Sequence, residues 1–383
     1  MDSGYAFQAS LTSLQKRWFL YVVLCGLTLM GGWVFLRQNW QAEYALRWAA
    51  LTSPVLVYQA WLLWVNLGTN HRPGEQALFP RMGWGNALTL LRGVMFAGLT
   101  GFLFSPQPPG SLAWLPAGLY TLGVLIDGLD GYIARRSGQA TRLGEILDMS
   151  MDGWGMLVAA TLAVQYGQVP AWYLLVGFAR YLFLGGLWLR ERLSWPIFEQ
   201  TYSVVRRPFA GLQMGFASVM LWPVFTPPGT YHAAALFSLP FLLNFLRDWL
   251  VVSGSLPADF IQRLEGVRLF ALRWLPLGLR LAVAVILIGQ LAGVVGSPGA
   301  IPPYDLAATA IEVPVMMLLL LGAAGRIAAI AGLVAVGFHQ MAAPLSALPL
   351  VLAWLYGALL YLGTGAFSVW KPEDRLIYRR AGE

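Results

Sequence analysis

Apolar stretches of roughly 17–25 residues recur along this chain from end to end, each long enough to cross a hydrocarbon core of about 30 Å as a helix. In lipid a backbone polar group must find its partner within protein, so repeated spans of this length restrict the fold to a helical bundle. Weak alternation argues against a barrel. Composition agrees, because 58% of the 383 residues are hydrophobic and only 11% charged, against about a quarter in soluble domains. The expected fold is an all-α integral membrane protein. The first stretch, Trp18 to Leu36, is followed by no small-residue cleavage site and is expected to be a retained span. Cys25 is the single cysteine, which excludes an internal disulfide. With the scattered His71, His232 and His339 it supplies no Cys/His zinc set.

A formal charge of +7 would suggest nucleic acid as the partner of a soluble protein. Here the basic residues sit in short loops between apolar spans, where they set topology instead, and no nucleic acid is expected. Twelve spans are expected, near residues 17–36, 48–68, 86–106, 111–134, 145–165, 170–189, 208–225, 230–252, 274–295, 305–324, 326–341 and 345–365. With Lys16 and Arg17 cytoplasmic, twenty of the 25 Lys/Arg fall on that side. Arg37 and Arg47 fall outside, and Arg180, Arg247 and Arg280 lie within spans. Both termini are therefore expected in the cytoplasm. The organisation expected is an N-terminal helix pair (1–75), a six-span block (76–252), a cytoplasmic linker (253–273) and a C-terminal four-helix bundle (274–383).

Of 18 acidic residues, five lie between Asp127 and Asp152, where both flanking segments are apolar. Asp127 and Asp130 are three apart at the inner end of the fourth span; Asp148 and Asp152 are four apart at the inner start of the fifth. Each pair shares one helix face. A short basic connection with Arg135, Arg136 and Arg142 makes the two spans an antiparallel hairpin, so the carboxylate pairs are expected to oppose each other. Four carboxylates at that depth repel and are costly to ionise, at about 2.5–3.5 kcal/mol each. A cation must sit between them. Oxygen-only ligands suit Mg²⁺ or Mn²⁺, and two such ions neutralise four aspartates and clamp a phosphoryl group during in-line displacement. Gly131, one turn after Asp127, and Gly144, one turn before Asp148, are expected to leave room beside the metals. Ala134 extends that strip, and Arg135 adds a permanent cation suited to diphosphate oxygens.

The run Asp127-x2-Asp130-Gly131-x2-Ala134-Arg135-x8-Gly144-x3-Asp148-x3-Asp152 resembles the signature of the CDP-alcohol phosphotransferases, with all eight positions filled. Upstream, Asn86-x2-Thr89-x2-Arg92 is similar to the segment that often opens the first helix of that family. The resemblance covers residues 76–252 and implies a six-helix core with a cytoplasm-facing polar cavity, here carrying two extra N-terminal and about four extra C-terminal helices. It implies two divalent ions, Mg²⁺ or Mn²⁺, on Asp127, Asp130, Asp148 and Asp152, with Asp152 as the base that activates the acceptor hydroxyl. Asn86, Thr89, Arg92, Gly131, Ala134, Arg135 and Gly144 would then face the donor nucleotide and its diphosphate.

Arg180 lies ten residues before Arg190, as Asp152 lies ten after Arg142, so it is expected at the depth of the metal site, with Asp248 as the alternative, structural partner. Arg180, with Arg206 and Arg207 from the following loop, favours a phosphate-bearing acceptor such as glycerol phosphate or inositol phosphate. The reaction expected is transfer of a phosphatidyl group from CDP-diacylglycerol to a polar alcohol with release of CMP, among membrane lipids and with a homodimer compatible. A same-class alternative takes a soluble CDP-alcohol as donor and diacylglycerol as acceptor. A cation-coupled transporter would explain acidic residues at depth but not the glycines or the eight-position spacing. His339, Glu312 and Asn244 also lie in or near spans, each expected without a companion cluster and in a packing or solvation role.

Overall fold

The computed structural model describes residues 2–75, 77–136, 140–199, 206–256, 258–295, 303–342 and 347–372. Among these are twelve helices: α1 (Asp2–Asn39), α2 (Ala42–Val65), α3 (Trp84–Thr100), α4 (Trp114–Arg136), α5 (Arg142–Gln165), α6 (Leu174–Arg192), α7 (Arg206–Met220), α8 (Gly229–Val252), α9 (Ala258–Val295), α10 (Pro303–Leu321), α11 (Gly325–Ala342) and α12 (Ala347–Leu362). No strand occurs among the described residues beyond an isolated bridge between Ala323 and Trp370. The protein is all α, with one helix at each expected span. Among the described residues six segments are long and apolar enough to cross a membrane: Phe7–Asn39, Ala42–Val65, Gly110–Leu129, Ala171–Arg192, Gly229–Val252 and Phe270–Gly293.

Two helices differ from expectation in length. α1 and α9 each run 38 residues, about 57 Å at 1.5 Å per residue, far beyond a hydrocarbon core of about 30 Å. In α9 the charged residues Asp259, Arg263, Glu265 and Arg268 precede the apolar segment Phe270–Gly293. The charged stretch expected as a linker is thus helical from Ala258 and continuous with the span, because no proline interrupts it before Pro276.

The chain packs as two units, Met1–Gly185 with Gln213–Ala234, and Gly186–Leu212 with Ala235–Glu383. In the first unit the N-terminal pair is docked on α3. Gln59 of α2, fully buried, donates to Leu90 O at 3.1 Å and fills the notch at Gly93. Trp48 donates its indole N–H to Gly98 O at 2.8 Å and lies over Gly32 and Gly101. Small residues let the helices approach, and the polar groups find partners inside the bundle, as lipid requires.

The same device joins α3 to the hairpin. Phe96, fully buried, sits with its ring against Gly123 of α4 and Gly155 of α5, and stacks at a tilt on Tyr120 with ring centres 5.6 Å apart. One turn on, Thr100 accepts the Trp154 indole N–H at 2.9 Å.

In the second unit α10 packs on α11, α11 on α12, and α9 on both α10 and α12. Arg280, 2% exposed, bonds four carbonyls: Leu319 at 2.6 Å, Thr364 at 2.9 Å, Ala366 at 3.0 Å and Leu320 at 3.1 Å. This intramembrane cation thus ties the end of α10 to the segment after α12. That segment turns through Gly363 and Gly365, at φ of 78° and 69°, values that favour glycine. His339 and Glu312 correct the expectation of isolated side chains: the His339 ring lies between Asp305 and Glu312, 3.0 Å from each.

If the glycine notch sets the spacing of α3 and α5, Gly155→Leu should lower stability by about 1–3 kcal/mol through overpacking. Thermal unfolding in detergent measures it. Pairing the change with Phe96→Ala should recover part of the loss.

Candidate functional site

Three faces converge in the first unit. α3 presents Thr89, Arg92, Phe96 and Thr100; α4 presents Tyr120, Gly123 and Asp127; α5 presents Asp148, Asp152 and Gly155. Each set follows the three- and four-residue spacing of one helix side. With Phe96 lodged against the two glycines, the side chains one turn away meet.

At that meeting point Asp127, Asp148 and Asp152 bring one carboxylate oxygen each within 4.8 Å of the others. The guanidinium of Arg92 spans all three. It bonds Asp127 directly, lies 2.5 Å from Asp148 Oδ1 and 3.1 Å from Asp152 Oδ1. Arg92 itself is fully buried, whereas the carboxylates are 32%, 43% and 33% exposed. The cation therefore forms the back of the site and the acidic oxygens its open front. Sequence reasoning put Arg92 among the donor-facing residues; the structure makes it the counter-ion of the aspartates.

One guanidinium does not balance three carboxylates, so the site keeps a net negative charge. Closely spaced hard oxygens, a residual negative charge and partial exposure fit a divalent cation such as Mg²⁺ or Mn²⁺. Asp127, Asp148 and Asp152 are the residues that would hold it.

The N-terminus of α5 is fixed from outside this cluster. Thr141 caps it, accepting Gly144 N–H at 3.1 Å, and Asn86 at the head of α3 donates to Thr141 at 3.0 Å and to Asn70 at 3.1 Å. A side chain at Gly144 would meet Asn86 Oδ1 at 2.6 Å. The space left by this glycine, read from the sequence as room for substrate, is taken by Asn86. Thr89, 4% exposed, donates to Gly85 O at 3.1 Å. Asn86 and Thr89 lie in the packing of α3, not on an open surface.

Arg180 of α6 lies beside α5 next to the acidic cluster. A methyl at Gly153 would stand 3.0 Å from Arg180 Cδ and 3.4 Å from Nε, and the cation interacts electrostatically with neighbouring Asp152. The side chains of Asp130, Gly131, Ala134, Arg135, Arg206 and Arg207 lie outside the described residues. Sequence reasoning missed Phe96, Gly123, Gly155 and Thr141. The signal was there for two of them, since Gly123 precedes Asp127 by four residues and Gly155 follows Asp152 by three.

Fold and site together define a helical membrane protein with an acidic, cation-seeking centre between three helices. Residues 82–242 match the family model for CDP-alcohol phosphatidyltransferase. Proteins of Mycobacterium bovis and Mycobacterium tuberculosis described as "Putative cardiolipin synthase" are 31% identical over 140 residues, 36% of this chain. The match spans 63% of the length of those relatives. No solved structure matches the chain.

If the three carboxylates hold a divalent ion, Mg²⁺ or Mn²⁺ should raise the thermal midpoint of the purified protein, and Asp148→Asn should remove most of that rise. Arg92→Met should lower stability by about 1–3 kcal/mol, less than for a fully enclosed pair because the carboxylates reach solvent. Unfolding curves with and without the metal check both.

Proposed function

We propose that the protein is a membrane transferase that moves a phosphatidyl group from CDP-diacylglycerol to a polar alcohol and releases CMP, at a site facing the cytoplasm. The observation that carries this reading is the convergence of Asp127, Asp148 and Asp152 within 4.8 Å, inside the segment that matches the family. The relatives' description supports an assignment to phospholipid synthesis.

Asp127, Asp130, Asp148 and Asp152 would hold two divalent cations, which would supply positive charge to the phosphoryl oxygens. Arg135, Gly131 and Ala134 border the diphosphate. Asp152 takes the proton of the acceptor hydroxyl, whose oxygen forms a bond to the β-phosphorus in line with the departing CMP oxygen. Arg92 keeps the carboxylates converged from behind; removing it would let them separate by repulsion. Arg180, beside Gly153, adds positive charge at the depth of the site. A phosphorylated acceptor needs such a charge to approach an anionic donor, so glycerol phosphate or inositol phosphate is the acceptor class favoured, with Arg206 and Arg207 assisting.

CMP release from CDP-diacylglycerol, measured against a panel of alcohols with Mg²⁺ or Mn²⁺, tests the reaction. Asp148→Asn and Asp152→Asn should each nearly abolish turnover in folded protein, since an amide is a poor hard-cation ligand and no base; near-normal activity in either would sink the mechanism. Arg180→Ala should raise the acceptor KM about tenfold or more with little change in donor affinity. An unchanged acceptor KM in a destabilised protein would make Arg180 a structural cation and remove the case for a phosphorylated acceptor.

A further inference from the structure

A cavity of about 400 Å³ lies among α9, α10 and α11 of the second unit, within the ~300–1,000 Å³ range of small-molecule sites. Its polar wall is made by Gln290, Asp305, Thr309, Glu312 and His339. The His339 Nδ1 lies 3.0 Å from Asp305 Oδ1 and its Nε2 3.0 Å from Glu312 Oε1. Both ring nitrogens thus face carboxylates. The two contacts are hydrogen bonds together only when the ring is an imidazolium or when one acid carries the extra proton. Either way the cluster keeps a net negative charge and the donors of the ring are spent.

Thr309 donates its hydroxyl to Asp305 O at 2.8 Å, so its oxygen remains able to accept. Gln290 also lines the cavity, with its Oε1 shielded from accessible space. The net charge of the two acids and the histidine opposes an anion. A bare metal ion is poorly served as well, because the imidazole stands between the carboxylates, whose oxygens do not converge as those of Asp127, Asp148 and Asp152 do. The remaining wall, including Leu287, Val313 and Met316, is hydrocarbon.

We propose that this cavity binds an organic ammonium cation with an apolar body, its N–H groups donating to Glu312 and Asp305 and its hydrocarbon lying on Leu287, Val313 and Met316. The site belongs to the C-terminal unit and does not depend on the transferase reading.

The test is a calorimetric titration of the purified full-length protein, in neutral detergent, with cyclohexylammonium, cyclohexanol and cyclohexanecarboxylate, three probes of one shape and different charge. Saturable binding of the ammonium alone is expected. Glu312→Gln should weaken it about tenfold or more, as for loss of a charge-assisted hydrogen bond. Asp305→Asn leaves the histidine and Glu312 in place and should weaken it severalfold, which keeps the test intact if Glu312→Gln does not fold. Absence of saturable ammonium binding overturns the proposal. So does equal binding of the alcohol or the carboxylate, or ammonium binding that Asp305→Asn leaves unchanged.

Discussion

Arg92 in contact with three aspartates is the interaction on which the first unit depends. The guanidinium is fully buried, and a buried cation is tolerated in a helical bundle only where partners surround it. Asp127 from α4, with Asp148 and Asp152 from α5, provides them. The requirement runs both ways, since three carboxylates so close need a cation to remain together. A permanent charge on a planar group with several donors serves three partners at once, which an ammonium on a flexible stem does less well. The acidic centre is therefore assembled by the protein itself, with its open side left to bind further positive charge.

Holding α3 in place is in turn the work of helices outside the signature. Gln59 at Gly93 and Trp48 at Gly98 and Gly101 key α2 along α3, while Asn86, Asn70 and Thr141 pin the head of α3 to the start of α5. Hydrophobicity does not drive helix association within lipid, so close approach at glycines and satisfied polar groups carry the specificity. The N-terminal pair thus acts on the site through α3, although it contributes no side chain to the acidic centre.

The second unit uses buried charge differently. Arg280 meets carbonyls at the end of α10 and beyond α12, where the last carbonyls of a helix lack intrahelical partners. At the other end of α10, Asp305, His339 and Glu312 surround a cavity. One end of this bundle spends its charge on backbone and is closed; the other keeps acidic oxygens beside open space.

The sequence by itself determined that the chain is all α, where its helices run, and that Asp127 of the expected four aspartates meets Asp148 and Asp152. Those properties are local: a span is a length of apolar residues, and carboxylates three or four apart share a helix face whatever packs against them. The placement of Arg180 beside Gly153 was legible for the same reason, from counting residues along a helix. Only the tertiary structure decided what each polar group meets. Arg92 finds Asp127 and Asp148 across 35 and 56 residues, Asn86 takes the space at Gly144, and His339 reaches Asp305 and Glu312 across 34 and 27. Such pairs depend on which helix faces are apposed and at what height. Those are set by many small steric fits, such as the Phe96 ring between two glycines, and no single segment encodes them.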